Sequence, residues 1–368
     1  MAYHSFWIGV SIFVVLFTVG LSANTWSFSI LGYEPSDHPH SEDSLLRLFQ
    51  AWQTRHGKLY NSLDETAKRL NIFKRNVEYI HHHNRNTSAG HWLGLNKFAD
   101  LTNEEFKALF SKKKTNPKRR SLGAMIKKAE SCKIPASLDW REKGAVTGVK
   151  DQGNCGSCWS FSTTGAIEGV NAISTGKLVS LSEQELVDCD STNYGCDGGS
   201  MDYAFQWVIQ NKGIDTESSY PYTGTDGSCN IKKEAKKVVA IDSYTDVAES
   251  DSALLCAAAK QPISVGIDGS AWDFQLYSGG IYDGDCSSDP NDIDHAVLIV
   301  GYASQDGEDY WIVKNSWGTD WGIEGYSYIR RNTNKTYGVC AINAMASHPN
   351  KSATVLRPSR LIGPTSKL

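Results

Sequence analysis

The order of helix-forming and strand-forming segments is the feature that most constrains the fold of this chain. Residues 158–212 form a helix-rich stretch with short loops, whereas residues 237–331 contain runs of β-branched and aromatic residues that are typical of strands. Two such runs are 263–267 (Ile-Ser-Val-Gly-Ile) and 295–302 (His-Ala-Val-Leu-Ile-Val-Gly-Tyr). This order predicts an α+β fold with a helical half and a β half. A cleft between two such units is a common place for a substrate site.

The first residues carry the pattern of a secretory signal. Residues 6–21 form an apolar run of 16 positions, and small residues at 20, 22 and 23 suit cleavage near residues 20–24. The run is shorter than the roughly 20 residues that a membrane-spanning helix needs, but no basic segment precedes it, so a short membrane anchor is the alternative. We expect entry into the secretory pathway, where disulfides form. The nine cysteines are an odd number, so at least one thiol stays free.

Charge is distributed unevenly along the chain. Residues 1–133 contain 19 Lys and Arg against 11 Asp and Glu, which is +8, whereas residues 134–368 contain 18 against 30, which is −12. Together they give the net charge of −4. A basic front part and an acidic back part favour electrostatic association between the two, and they argue against a nucleic-acid binder.

Apolar residues recur at helical spacing in two segments of the basic front part. The first set is Leu45, Leu48, Phe49 and Trp52, and the second is Leu70, Phe73, Val77 and Ile80. We expect two amphipathic helices there. Further on, residues 111–133 collect many Lys and Arg around Pro117 and Gly123, which predicts an exposed linker that is easily cut.

Cys158 is the candidate nucleophile. It stands in the segment 152–162 (Gln-Gly-Asn-Cys-Gly-Ser-Cys-Trp-Ser-Phe-Ser), at the predicted start of a helix that runs on to Gly169. A thiol attacks as the thiolate, and both the positive end of a helix dipole and a nearby imidazolium lower its pKa.

Two other uses of these cysteines stay open on the sequence. Cys155 and Cys158 form a CxxC pair, which could exchange disulfides in a thiol–disulfide oxidoreductase. A structural zinc site could use Cys155, Cys158, Cys189 and Cys196, although their spacing is not that of a common zinc ribbon.

A cysteine nucleophile needs a base that shares its proton, and histidine is the usual partner. Eight of the ten histidines precede residue 134. If that part is removed, His295 and His348 remain, and His348 falls where we expect a loose C-terminal tail to begin. Elimination therefore points to His295, which lies 137 residues after Cys158 at the start of an apolar strand.

The string Cys-Gly-Ser-Cys-Trp at 155–159 resembles the signature of papain-like cysteine proteases. Two motifs of the front part are similar to the propeptides of that family. Residues 94–100 match the GxNxFxD element. The interspersed ERFNIN pattern is filled by Glu65, Arg69, Phe73, Asn76, Ile80 and Asn84. The resemblance implies a papain-like two-domain fold, with a helical left domain, an antiparallel β-barrel right domain and a cleft between them, preceded by a helical propeptide.

The resemblance also implies a division of the chain. Residues 1–23 would be the signal peptide and residues 24–133 an inhibitory propeptide. Residues 134–349 would be the papain-like peptidase, and residues 350–368 a disordered C-terminal tail. The processing site is expected near residues 131–134, because 134–141 resembles the start of the mature enzymes.

Each catalytic role follows from the same resemblance. Cys158 is expected to be the nucleophile and His295 the general base, while Asn315, 20 residues further on, orients the imidazole. Gln152 would donate a side-chain hydrogen bond to the oxyanion, with the backbone N–H of Cys158 as the second donor. Trp317 would shield the bond between His295 and Asn315 from water.

The disulfides implied by the resemblance pair Cys155 with Cys196, Cys189 with Cys229, and Cys286 with Cys340. Sequence alone does not select one pairing of six cysteines. Cys132 would leave with the propeptide or stand at the new N-terminus. Cys256 is expected to be a buried helical thiol that behaves as a small hydrophobe.

Substrate recognition is also inferred from relatives. Gly198 and Gly199 occupy the place where family members hydrogen-bond the extended substrate backbone. The residues expected to line the main specificity pocket are Met201, Gly266, Ile293, Ala296 and Met345, and Asp294 and Trp317 complete the substrate-binding set. Because the pocket residues are apolar, we expect a preference for a hydrophobic residue two positions before the scissile bond. Glycosylation triplets begin at Asn86, Asn334 and Asn350.

The sequence therefore predicts a cysteine endopeptidase made as a self-inhibited precursor, with the CxxC oxidoreductase as the alternative. We expect no cofactor and no metal. Expected partners are peptide and protein substrates, the chain's own propeptide and cystatin-type inhibitors, without nucleic acid or, after signal removal, membrane. A monomer in a vacuole- or lysosome-like compartment, or outside the cell, is expected. Protonation of Asp100, Glu104 and Glu105 is the expected trigger of propeptide release at acid pH.

Overall fold

The computed structural model describes residues 41–85, 90–110, 132 and 134–352. The expected signal peptide, the glycosylation triplet at Asn86, the linker apart from residue 132, and positions 353–368 of the expected tail lie outside the described residues.

Helices dominate the front part of the chain. The helices are α1 (Glu42–His56), α2 (Leu63–Asn84) and α3 (Asn103–Phe110), with the short strand β1 (His91–Leu93) between α2 and α3. Ser41 begins α1 with a capping box, and Gly57 ends it in the left-handed conformation at φ 61°. The apolar stripes of the first two helices meet, so Trp52 and Phe73 are fully buried against each other. The two amphipathic helices expected from the sequence are confirmed.

The helical layer of the back part is built around one long helix. Its helices are α4 (Cys158–Thr175), α5 (Glu183–Cys189), α6 (Met201–Gln210), α7 (Ile231–Glu234), α8 (Asp251–Ala258) and α9 (Trp272–Gln275). Helix α4 is buried continuously from Cys158 to Asn171, and it ends at Gly176 with φ 73°. A helix that is apolar and small-residue-rich on all sides packs against neighbours on all sides.

The strands form one sheet. They are β2 (Leu138–Asp139), β3 (Ser243–Asp246), β4 (Ile263–Ile267), β5 (Tyr277–Tyr282), β6 (His295–Gln305), β7 (Glu308–Lys314), β8 (Tyr326–Arg330) and β9 (Ala346–Asn350). The order is β1-β5-β8-β7-β6-β4-β9-β3, with β2 beside β6. The expected α+β fold with helical and β units is confirmed. The described strand pairs are antiparallel except β5 with β8, which is parallel.

Strand β6 is buried on both faces, which explains its unbroken apolar run. Ala296, Leu298 and Val300 face the cluster that contains α4 and α6. Val297 and Ile299 face the opposite cluster, which contains α8. The sheet thus separates two hydrophobic cores, and β6 anchors both.

Two expectations about the back part are wrong. His348 does not lie in a loose tail, because it pairs with Thr245 within β9 and β3, and the sheet extends through Asn350. Cys256 is not a free thiol, because it forms a disulfide with Cys132. The three disulfides implied by the resemblance are present as well. Among the described helices, none is long and apolar enough to cross a bilayer.

Candidate active site

Cys158 is the first residue of α4, and its backbone N–H belongs to the unpaired N-terminal turn of that helix. All nine cysteines fall within the described residues, and Cys158 is the one that is not in a disulfide. Cys155 pairs with Cys196, which contradicts the CxxC oxidoreductase alternative. The zinc alternative is excluded too, because Cys155, Cys189 and Cys196 are all oxidised.

His295 opens β6 and is held by Asn315. The Nε2 atom of His295 lies 2.8 Å from Oδ1 of Asn315, which follows the last residue of β7. The antiparallel pairing of β6 with β7 brings the two together although they are 20 residues apart. Trp317 stacks on the imidazole with ring centroids 4.5 Å apart. Because Asn315 Oδ1 accepts a hydrogen, Nε2 carries the proton and Nδ1 is left for a second partner.

The packing of α4 on β6 places Cys158 beside the start of β6. The backbone N–H of Ala296, the residue after His295, donates a hydrogen bond to the Cys158 sulfur. Further along, Ser162 Oγ donates to the Val297 carbonyl at 2.7 Å. Among the described residues, Nδ1 of His295 is buried without a hydrogen-bond partner. The thiol thus lies against the backbone of the residue that follows His295, and no hydrogen bond joins it to the imidazole.

Burial favours the neutral forms of Cys158 and His295. Burial raises the pKa of the Cys158 thiol to about 11, and the negative charge of Asp294 adds to this, while the Ala296 N–H opposes it. Burial lowers the pKa of His295 to about 4, against the bond to Asn315. Cys158 is thus a thiol rather than a thiolate while it is buried.

Gln152 is fully buried between the cysteine loop and the loop that holds Asn315. Its Nε2 donates to the Cys155 carbonyl at 2.9 Å, and its Oε1 accepts from Ser316 Oγ at 2.7 Å. An amide nitrogen carries two hydrogens, so one remains for an oxyanion. Ser316 was missed in the sequence, where nothing distinguishes its hydroxyl from other serines.

The two glycines expected to bind substrate backbone stand where other residues are disfavoured, each for its own reason. A Cβ at Gly199 would approach the Trp159 ring to 2.5 Å, and Gly198 has a φ of 117°, which other residues rarely adopt. Asp294, also in the expected set, accepts a hydrogen bond from the Gly269 N–H at 2.9 Å and so fixes the loop before β6.

The expected pocket residues are brought together. Gly266 of β4 pairs with Ala296 of β6, and a Cβ on it would lie 2.8 Å from Ile293 and 3.1 Å from the Met345 sulfur. Met201, at the start of α6, belongs to the same apolar cluster as Ala296 and Met345. The structure therefore assembles an apolar wall from residues that span 145 positions.

The front part docks beside this site. Phe98, Phe106 and Phe110 each place an aromatic ring against Trp317, with centroids 5.3–5.9 Å apart. Strand β1 adds to the sheet edge at β5, where His91 pairs with Gly280. Trp317 covers the imidazole, so the docked aromatic residues lie one layer away from the proposed catalytic groups.

Comparisons with known proteins agree with this geometry. The model of the papain family cysteine proteases matches residues 134–350, and that of the cathepsin propeptide inhibitor domain (I29) matches residues 49–106. The Arabidopsis thaliana cysteine protease XCP2 is 47% identical over 335 residues, which cover 90% of this chain and 93% of that protein. Vignain of Vigna mungo is 48% identical over 89% of this chain and 91% of that protein.

Solved precursors have the same fold. The proform of the ragweed pollen cysteine protease Amb a 11 superimposes with a TM-score of 0.78 at 42% identity, over 85% of this chain and 97% of that one. The recombinant stem bromelain precursor gives a TM-score of 0.75 at 35% identity, over 83% and 99% of the two chains. The chain thus belongs to the papain family of cysteine proteases, and it is a cysteine endopeptidase precursor that its own propeptide inhibits.

Proposed function

We propose that peptide hydrolysis runs through Cys158 as nucleophile and His295 as general base, with Asn315 orienting the imidazole and Gln152 supporting the oxyanion. One observation supports the proposal: the free thiol of Cys158 lies against the backbone of Ala296, the residue after His295, whose Nδ1 is buried without a partner. When the propeptide leaves, water enters, the desolvation that keeps both groups neutral falls, and the proton moves from sulfur to Nδ1.

The thiolate then attacks the scissile carbonyl carbon, and a C–S bond forms while the carbonyl oxygen becomes negative. The second Nε2 hydrogen of Gln152 and the N–H of Cys158 stabilise that oxygen. His295 gives its proton to the leaving amine as the C–N bond breaks, which leaves an acyl-enzyme. Water, deprotonated by His295, attacks the acyl carbon, and the carboxylic acid leaves as the thiolate reforms.

The test compares the two histidines of the expected peptidase, residues 134–349. In protein matured from the full-length precursor, His295→Ala should abolish peptide hydrolysis, whereas the control His348→Ala, in β9, should retain it. A thiol-directed peptide epoxide should label Cys158 in the control. An adduct on any other residue, or an active His295→Ala enzyme, would refute these assignments.

We also propose a preference for a hydrophobic residue two positions before the scissile bond. Support comes from the apolar wall around Gly266, where an added methyl would enter the space between Ile293 and Met345. Gly266→Ala should therefore lower kcat/KM for substrates with Phe or Leu at that position more than for those with Ala. The control is Gly148→Ala, because its added methyl meets no atom within 4 Å. A substrate profile with a dominant basic residue at that position would contradict the assignment of these residues to the specificity pocket.

Acid release through the propeptide carboxylates remains our proposal. Asp100 accepts bonds from Lys58 at 3.0 Å and Tyr60 at 2.8 Å. Burial alone would raise the pKa of Glu105, but bonds from Lys68, the Thr102 backbone and Arg69 outweigh it and lower that pKa.

Two hydrogen bonds, one to its own backbone N–H and one to the Thr102 side chain, lower the pKa of Glu104 as well. For Glu104 and Glu105, the stabilisation is complete above their ordinary pKa of about 4.5 and is lost as the pH falls below it. A precursor that converts equally fast at pH 7 and pH 4 would refute this trigger.

We propose that the chain enters the secretory pathway, for a vacuole- or lysosome-like compartment or for export. Division into a signal peptide (1–23), a propeptide (24–133), a peptidase (134–349) and a tail is proposed with it, although β9 extends through Asn350. Asn334 is exposed and available for a glycan. The Asn350 amide is engaged by Ser243 and Thr245. Asn334→Gln should therefore remove a glycosidase-sensitive mass.

Substrates and cystatin-type inhibitors would bind the cleft of a monomeric enzyme, without nucleic acid or membrane. Size-exclusion chromatography with light scattering tests the monomer, and titration with a cystatin tests the inhibitor.

A further inference from the structure

We propose that Tyr222 is a positioning residue that locks together the two segments carrying the oxyanion donors; this inference rests on the function proposed above. The phenol hydroxyl of Tyr222 donates to the backbone carbonyl of Gln152 at 2.8 Å. The same oxygen lies 2.6 Å from Oγ of Ser157, the residue before Cys158. The Tyr222 hydroxyl thus links Gln152, which carries the side-chain oxyanion donor, to Ser157, which precedes the backbone donor of Cys158.

The direction of this chain of hydrogen bonds follows from the donors available. A phenol has one hydrogen, and the Gln152 carbonyl can only accept. With the Tyr222 hydrogen on that carbonyl, Ser157 donates to the Tyr222 oxygen at 2.6 Å, a much shorter separation than the 3.5 Å to its other acceptor, the Cys155 carbonyl. Burial raises the pKa of Tyr222 to about 12, so the phenol keeps its hydrogen at any pH at which the enzyme works.

Ser157 gives up its usual role to make this bond. It is the N-cap residue of α4, and a serine there normally accepts a hydrogen bond from the first turn of the helix. In this helix the Ser157 side chain makes no capping bond. The Ser157 hydroxyl is therefore available to Tyr222, and the N–H of Cys158, the first residue of the helix, is a group that an oxyanion can use.

The position of Tyr222 is set from outside the site. Its ring packs edge-on against Phe161 of α4, with centroids 4.9 Å apart. Its backbone N–H donates to Glu217 at 2.8 Å. These contacts fix the Tyr222 hydroxyl before substrate binds. Oxyanion stabilisation depends on donors whose positions are set in advance, and a fixed hydroxyl helps to set them.

The test compares Tyr222→Phe with Tyr220→Phe, using enzyme matured from the full-length precursor. Tyr220 lies two residues away; its hydroxyl donates to Asp188 at 2.7 Å and accepts from the Asn230 N–H at 3.1 Å, and neither partner belongs to the segments that hold the oxyanion donors. Wild-type enzyme must first lose activity when iodoacetamide alkylates Cys158; if it does not, the proposed function itself fails.

Tyr222→Phe should lower kcat for an amide substrate by about tenfold, as expected for one lost hydrogen bond, with little change in KM. Affinity for a peptide aldehyde, whose thiol adduct carries an oxyanion, should fall in parallel. The rate of alkylation by iodoacetamide, which forms no oxyanion, should stay unchanged. Tyr220→Phe should leave all three values as in the wild type.

A second variant keeps the proposal falsifiable if Tyr222→Phe folds poorly. Ser157→Ala should reproduce the loss of aldehyde affinity, and the double variant should lose no more than either single variant, because both break one chain of bonds. Wild-type kcat and aldehyde affinity in both variants would overturn the proposal. An equal loss in alkylation rate would overturn it as well, because the effect would then lie in the thiolate.

Discussion

Asn76 is the propeptide residue whose replacement should open the precursor most directly. It lies on α2 with 1% of its surface exposed. Its Nδ2 donates to the Ala99 carbonyl at 2.7 Å and the Leu101 carbonyl at 3.0 Å, and its Oδ1 accepts from the Trp272 indole at 2.9 Å. It therefore ties α2 both to the segment that packs on the active site and to the catalytic unit.

Asn76→Leu keeps the volume but leaves the Ala99 carbonyl and the Trp272 indole N–H without a partner, whereas the Leu101 carbonyl keeps a bond from Gln275 Nε2 at 3.2 Å. Each unpaired buried group costs about 1–3 kcal/mol, and neighbouring losses are not additive, so we take about 3 kcal/mol for the docked state. That corresponds to roughly a 150-fold rise in the population of open precursor. Trp272→Phe removes the bond across the interface and also shrinks a ring that stacks on an aromatic side chain of α2, so it should give at least about 1 kcal/mol, or at least roughly fivefold.

The assay is the rate at which a peptide epoxide labels Cys158 in the precursor at pH 7. If labelling requires opening, its rate is proportional to the open population. Mature enzyme from the Asn76→Leu precursor and from the wild type must react equally, because residue 76 leaves with the propeptide. Labelling less than threefold faster, in a precursor whose circular dichroism is unchanged, would show that these bonds do not hold the propeptide down.

Three further outcomes are expected. Burial lowers the pKa of His56, although the charge of Asp320, 3.6 Å away, acts in the opposite direction. Docking of the propeptide should therefore weaken as the pH falls below about 6.5. His56→Phe should flatten the rise in the rate of precursor conversion between pH 7 and pH 5. Asn315→Ala should lower kcat/KM by at least about tenfold, and a loss under twofold would show that the imidazole needs no such partner. Replacing Cys132 and Cys256 by serine should cost the precursor roughly 2–5 kcal/mol in urea unfolding, and an unchanged midpoint would contradict this.

The sequence pattern was sufficient to predict features that depend on residues close together along the chain. The helical spacing of apolar residues, such as Phe49 and Trp52 in α1 and Phe73 and Val77 in α2, predicted the two helices that bury them, because residues 3.6 positions apart lie on one face of a helix. The segment around Cys158 and the scarcity of histidine after residue 134 pointed to Cys158 and His295, and the family resemblance supplied Asn315 and Gln152. Those choices needed residue type and order, which the sequence contains.

Tertiary packing decided the features that depend on contacts between segments far apart in the sequence. Cys256 reads as an isolated helical thiol, yet it pairs with Cys132, 124 residues away. His348 reads as part of a tail, yet it lies in a strand. The sequence placed Cys158 and His295 in one site, but their neutral forms in the precursor arise from burial, and Tyr222 meets its partners only through tertiary contacts. Desolvation and contacts between distant segments exist only once the chain has folded, because they depend on separations in space that no local pattern records.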